Sequence, residues 1–132
     1  ECARLLEGEH DFAAFSSAGS SVKTTVRTVY SVETAPWADE YAEGVLGVRI
    51  EVCGGGFLYN MVRIMAGAIL ECGAGKLPLS AVEEALCTGD RELLGKTMPA
   101  KGLTLLSVDY GFPLFNGEYS GGAARTAPAN KE

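Results

Sequence analysis

The stretch Leu46-Gly47-Val48-Arg49-Ile50-Glu51-Val52-Cys53-Gly54-Gly55-Gly56-Phe57-Leu58-Tyr59-Asn60-Met61-Val62-Arg63 decides the fold. In its first half Leu46, Val48, Ile50 and Val52 alternate with Gly47, Arg49 and Glu51. That period of two marks a strand with one buried and one wetter face. Three glycines then stop the pattern. From Phe57 to Leu70 nearly every position is apolar, and a run of this length favours a buried helix over a strand. Gly73 and Gly75 supply its C-terminal stop.

Towards the N-terminus, Val22 to Val32 is dominated by β-branched residues and predicts another strand. Between the two strands, Thr34 to Gly44 holds Pro36 and, with Glu33 just before it, the acidic residues Asp39, Glu40 and Glu43, which predicts a solvated hairpin loop. Phe12 and Phe15 stand at helical spacing, and the Ser/Gly run from Ser16 to Ser21 reads as a loop. Towards the C-terminus, Pro78 and Ser80 open a second helix, with Ser80 and Glu83 in the pattern of a capping box. Val82, Ala85 and Leu86 give that helix a narrow apolar stripe. Leu103 to Tyr110 predicts a third strand with Leu106, Val108 and Tyr110 on one face. The order strand, strand, helix, helix, strand predicts an α+β fold, an antiparallel or mixed sheet with helices packed on one face. One domain covers residues 1–115, and the Gly-, Ala- and Asn-rich stretch 116–132 reads as a tail without fixed structure.

With 132 residues, 47% of them hydrophobic, the chain suits one globular domain. No apolar run approaches the ~20 residues that span a bilayer, so no membrane partner is expected. Cys2, Cys53, Cys72 and Cys87 are scattered, without a CxxC pair, and one histidine completes no common zinc set. Reduced thiols in the cytoplasm are the simplest reading. A net charge of −6 argues against a stand-alone nucleic-acid binder. Lys23, Arg27, Lys96 and Lys101 nevertheless lie apart from the acidic cluster, which leaves room for a local basic face. The chain opens on Glu1 rather than methionine and reads as a piece of something larger.

The junction from Cys53 to Arg63 is the most informative place for chemistry. Its glycines permit close approach by another molecule, and a helix start offers free N–H groups to an anion. It is neither a P-loop nor a GxGxxG turn, and a tight packing turn explains the glycines as well. Arg63 is the sharper signal, because its helix is otherwise apolar and only Tyr59 and Asn60 lie near it as polar side chains. Either that stripe snorkels to solvent, or Arg63 meets a carboxylate, with Asp11 and Asp109 as candidates within the chain. The remaining features are weaker. His10-Asp11 reads as a surface turn or cap, and Asp90-Arg91-Glu92 as a solvated helix end. Tyr30, Tyr41 and Tyr59 read as core or rim residues that could also stack on bases. Lys96 and Lys101 flank a loop that could contact phosphate or simply be wet. No serine stands in a nucleophile-elbow sequence.

Four segments in order carry a resemblance: Gly8-Glu9-His10-Asp11-Phe12-Ala13-Ala14-Phe15, Lys23-Thr24-Thr25-Val26-Arg27-Thr28-Val29, Phe57 to Arg63, and Pro99-Ala100-Lys101-Gly102-Leu103-Thr104-Leu105. From about Gly8 to Tyr110 the chain resembles the C-terminal half of the TruA family of tRNA pseudouridine synthases. The resemblance implies an isomerase that detaches uracil from its ribose and rejoins it through carbon, on uridines of the tRNA anticodon stem-loop. It implies no cofactor and no metal, a homodimer, and two α+β halves that share a sheet with the RNA cleft between them. The family's essential aspartate lies in the other half, in an Arg-Thr-Asp-x-Gly-like segment absent here, so this chain alone is expected to be inactive. Arg63 matches the arginine that pairs with that aspartate. Tyr59 and Asn60 would line the uridine pocket, Gly55 and Gly56 would let the chain approach it, and Leu103, with Pro99, Ala100 and Gly102, would form a further wall. Lys23, Arg27 and Lys101 would contact RNA phosphates. Two alternatives from other classes are a non-catalytic RNA-binding module and a dimerisation domain pairing through the Phe57 helix and the sheet edge.

Overall fold

The computed structural model describes residues 1–19, 21–38 and 46–111. Its sheet contains β1 (Gly8–Asp11), β2 (Val26–Ala38) and β3 (Leu46–Gly54), in the order β1-β2-β3 and antiparallel throughout. Val29 and Val32 are both buried, although residues three apart on a regular strand face opposite ways. A bulge between Val29 and Ser31 resolves the conflict, because β2 advances two residues there while β3 advances one, from Gly54 to Cys53. Val32 then sits opposite Val52 and Thr34 opposite Ile50, and both Val52 and Ile50 pack against the core. Val26 and Trp37 stand on the opposite parity and are exposed.

The expected hairpin of two strands is present, but its boundary differs. β2 continues through Pro36 to Ala38, where a loop was expected. β1 pairs only with Val26–Val29, so near Pro36 the described residues place a strand on one side of β2 only, the position in which a sheet tolerates proline. Asp39, Glu40, Glu43 and the expected tail at 116–132 lie outside the described residues.

The third strand is a correction. Leu103 to Tyr110 forms no strand, and every one of these residues is exposed. Strand propensity measures how well side chains fit a pleated, half-buried surface, and among the described residues no strand edge pairs with this segment. The third strand is instead β1, whose Gly-Glu-His-Asp sequence carries no β pattern and becomes a strand by pairing with Val26–Val29. Glu7 extends that edge, its Oε1 accepting the Val32 N–H at 2.9 Å.

Among the described residues three α-helices flank the sheet: α1 (Cys2–Leu5), which the sequence reading missed, α2 (Met61–Gly73) and α3 (Leu79–Thr88). α2 starts four residues later than the apolar run suggests. Asn60 before it is left-handed (φ 62, ψ 6), which ends any helical path arriving from Phe57. Its buried residues Met61, Ile64, Met65, Ala68 and Ile69 follow the three-and-four spacing of a helix facing a core, and the chain leaves it through Gly75 at φ 70. α3 begins ahead of Ser80, because Ala81 N already donates to Pro78 O at 3.1 Å. Ser80 therefore lies inside the first turn and the expected capping box is not formed. Phe12 and Phe15 belong to a 3₁₀ turn at Ala13–Phe15 and are fully buried edge to face, 5.6 Å between centroids. No helix of the described residues is long and apolar enough to cross a membrane.

A strap, residues 94–98, lies across α2. A Cβ on Gly67 would overlap the Lys96 carbonyl, and one on Gly95 would overlap the Glu71 carboxylate. Glycine at 67 is thus a packing requirement, not a matter of backbone freedom. Gly67→Ala should lower the unfolding free energy by about 1–3 kcal/mol, the cost of forcing extra volume into a filled contact. Gly73→Ala, at the end of the same helix with open space around it, should raise it by about 0.4–1 kcal/mol. Urea titration of the two variants checks the contrast.

All four cysteines are unbridged. Although distant in sequence, Cys2 and Cys72 meet, and Cys2 is buried. Burial first, then the hydrogen bond and charge of Cys72, push the Cys2 thiol up to about 12. Since the thiolate is the reactive form, iodoacetamide at about pH 8 should label the exposed Cys53 and Cys87 and spare Cys2, as read by mass spectrometry. The unfolded chain surrenders the Cys2 proton nearer the ordinary 9.0. This contribution to stability is therefore complete below about pH 9 and is lost as the pH rises towards about 12.

Candidate functional site

Asn60 stands where the turn after the glycines meets α2, and asparagine is among the few residues that tolerate its left-handed backbone. From there its side chain joins two segments. Nδ2 donates to Ser17 Oγ at 2.8 Å, and Oδ1 accepts from Arg63 Nη1 at 2.7 Å. A guanidinium can only donate, so the amide oxygen must face it. Arg63, nearly one turn further along α2, donates from Nε to Met98 O at 2.7 Å. Met98 N donates back to Arg63 O at 3.1 Å, and Ser17 N donates to Tyr59 O at 3.2 Å. Ser17, the start of α2 and the strap are thereby tied into one network.

Arg63 is half-buried, and both of its acceptors are neutral. The two carboxylates that the sequence offers as partners are engaged elsewhere. Asp11 Oδ1 accepts from Thr25 Oγ1 at 2.6 Å and from Ala13 N at 3.0 Å, while Asp109 Oδ1 accepts from Gly111 N at 2.8 Å. Arg63 makes no ion pair with any carboxylate of the described residues. Its fork is held in place while no carboxylate of the described residues compensates its unit charge. Such a group stabilises the ionised form of a carboxylate brought beside it and can bind it through two parallel hydrogen bonds.

The other sequence-derived candidates are spread more widely. Tyr59 is exposed, and its carbonyl is the part engaged by Ser17. Gly55 and Gly56 belong to a turn separated from the start of α2 by Phe57–Asn60, so glycines and helix N-terminus do not make one anion cradle. A Cβ on Gly55 would come within 2.9 Å of the Tyr30 hydroxyl, and one on Gly54 would press on the Phe57 ring and Thr28 O. The space left by these two glycines is filled by the chain's own aromatic rings. Gly56 lies beside the stem of Arg27, whose Nη1 donates to Thr24 O at 2.8 Å and Val26 O at 2.6 Å. Lys23 and Lys101 are exposed. Leu103 is exposed and closes the 3₁₀ turn Ala100–Gly102, with Pro99, the residue after the strap's Met98, preceding that turn. His10 lies in β1 opposite Arg27 rather than in the expected surface turn, and its Nε2 donates to Glu7 O at 2.8 Å.

Sequence reasoning missed Ser17, Met98, Arg91 and Thr97. Met98 acts through its carbonyl, which no side-chain pattern announces, and Ser17 lies in a run that looks like ordinary loop. Next to the network runs an open groove of ≈ 670 Å³ lined by Ser16, Ser17, Val22, Thr25, Arg91 and Thr97, among others. Among the described residues no three His, Cys, Asp or Glu side chains converge.

Comparison with known proteins agrees with the resemblance. A family model described as tRNA pseudouridine synthase matches residues 2–111. The tRNA pseudouridine synthase A of Shouchella clausii is 45% identical over 119 residues, which is 90% of this chain and 43% of that protein. That of Brevibacillus brevis is 46% identical over 83% of this chain and 42% of its own length, and that of Bacillus subtilis is 42% identical over the same shares. The chain thus spans less than half the length of the curated relatives it matches.

Proposed function

The chain belongs to the tRNA pseudouridine synthase family, and on that premise we propose that it forms one wall of a uridine-isomerising site, as the C-terminal half of the enzyme. The observation that carries this reading is the Arg63 guanidinium, fixed by Asn60 and Met98 yet unpaired with any carboxylate of the described residues. A partly desolvated cation without a counter-charge is costly, and an aspartate from the remaining part of the protein would supply the missing partner. Beside Arg63 that aspartate stays ionised and oriented towards the flipped uridine. Asn60, already fixed between Ser17 and Arg63, stands at the pocket's edge, with Tyr59 beside it. The substrate is tRNA, at uridines of the anticodon stem-loop, with Lys23, Arg27 and Lys101 as phosphate contacts. The enzyme works as a homodimer in the cytoplasm, a compartment consistent with four unbridged thiols.

The reaction itself supplies an assay. When the glycosidic bond moves from N1 to C5, the C5 hydrogen is released to solvent and N1 takes up a proton, so tritium at C5 reports turnover. In the complete protein Arg63→Met should lower kcat by about 10²–10³-fold, the loss typical of removing one preorganised charge from a reacting centre. Its unfolding midpoint should stay near the wild-type value. Arg63→Lys should remain severely impaired, because a point charge does not reproduce the fork. The 132-residue chain alone should release no tritium. Wild-type turnover by Arg63→Met would refute the reading.

A further inference from the structure

We propose that Arg91 is a positioning residue that acts through Arg63, an inference that rests on the role given to Arg63 above. Its sequence context, Asp90-Arg91-Glu92, reads as a solvated helix end, but the structure uses it otherwise. Arg91 opens a 3₁₀ turn, Arg91–Leu93, capped by Asp90 Oδ1 accepting from Glu92 N at 2.9 Å. Half-buried, it reaches back along the strap. Nη1 donates to Leu94 O at 2.9 Å and Nη2 to Thr97 Oγ1 at 3.1 Å. One guanidinium therefore grips both ends of residues 94–97, and the next residue is Met98, whose carbonyl receives Arg63 Nε.

The strap has few other anchors. Leu94 is its one buried side chain, and Lys96 is exposed. On the α2 side it rests against Gly67 through the Lys96 carbonyl and the Met98 side chain, and Gly95 faces the Glu71 carboxylate. A segment held mainly by its backbone has its carbonyl directions set by whatever fixes its ends. Here those are the Arg91 fork on one side and the Met98–Arg63 pair on the other. Planar geometry matters, because Nη1 and Nη2 reach two acceptors that differ in kind and position, whereas an ammonium would have to serve both from one nitrogen. Releasing Thr97 lets the Met98 carbonyl turn, and Arg63 then loses the acceptor that fixes Nε. Arg91 also lines the open groove, so a direct contact with RNA is the competing role.

The test is a set of variants in the complete protein, Arg91→Met, Thr97→Val, Arg63→Met and the double variant Arg91→Met/Arg63→Met. They are read by tritium release from C5-labelled tRNA and by the NMR resonance of the Arg63 Nε–H. Arg91→Met should lower kcat by roughly ten- to a hundredfold, the cost of a small displacement near a reacting centre, and leave KM for tRNA within about twofold. Thr97→Val, which keeps shape and removes one acceptor, should lower kcat in the same sense by less. It carries the test if Arg91→Met does not fold. The double variant should be no slower than Arg63→Met, because residues acting as a unit do not add. The Nε–H resonance should move in both Arg91→Met and Thr97→Val. A raised KM with additive losses would assign Arg91 to RNA contact and overturn the proposal, as would an unmoved Nε–H resonance. If Arg63→Met turned over at the wild-type rate, the functional reading would fall. The Nε–H resonance would still decide whether Arg91 positions Arg63.

Discussion

The close approach of the Leu94–Met98 strap to α2 is the contact on which the rest of the site depends. It is possible because Gly67 presents no side chain to the Lys96 carbonyl and Gly95 none to Glu71. With the strap seated there, the Met98 carbonyl comes to Arg63 and the Met98 N–H returns to the Arg63 carbonyl. Helix and strap then hold one guanidinium from both sides. Interiors pack as closely as organic crystals, so a glycine at such a contact acts like a machined gap, and filling it displaces everything beyond.

The sheet plays the complementary part. Its bulge lets Val29 and Val32 share a face, and that face is where the helices and the Phe12–Phe15 pair build the core. By turning α2 onto this core through Met61, Ile64, Met65, Ala68 and Ile69, the fold leaves Arg63 on the helix flank that meets the strap and the Ser17 loop. The apolar stripe thus determines where the polar one points. Burial of the stripe, at about 25 cal/mol per Å² of apolar surface, is what can sustain a half-buried charge nearby.

Much of this was legible in the residues. β3, the hairpin and a buried helix near Phe57–Leu70 follow from alternation, β-branching and a long apolar run. Arg63 stood out because a single cation in such a helix needs a reason. Boundaries were less legible. α2 begins at Met61 because Asn60 takes a left-handed backbone, a state that sequence permits without announcing. The expected strand at Leu103–Tyr110 failed because β-propensity describes a side-chain set, while a strand also needs a neighbouring edge. β1 succeeded for the converse reason, since pairing made a strand of Gly8–Asp11 without any β pattern.

The amino-acid order by itself determined the α+β class, the family, and Arg63 as the residue to explain, because periodicity and motif are properties of neighbours along the chain. Only the tertiary structure decided that Arg63 is held by Asn60 and a backbone carbonyl, that Asp11 and Asp109 are occupied elsewhere, and that Arg91 grips the strap. Hydrogen-bond partners are chosen by distance in space. Ser17 and Met98, which flank the site, are separated in the sequence by most of the domain, and one of them contributes only its main chain.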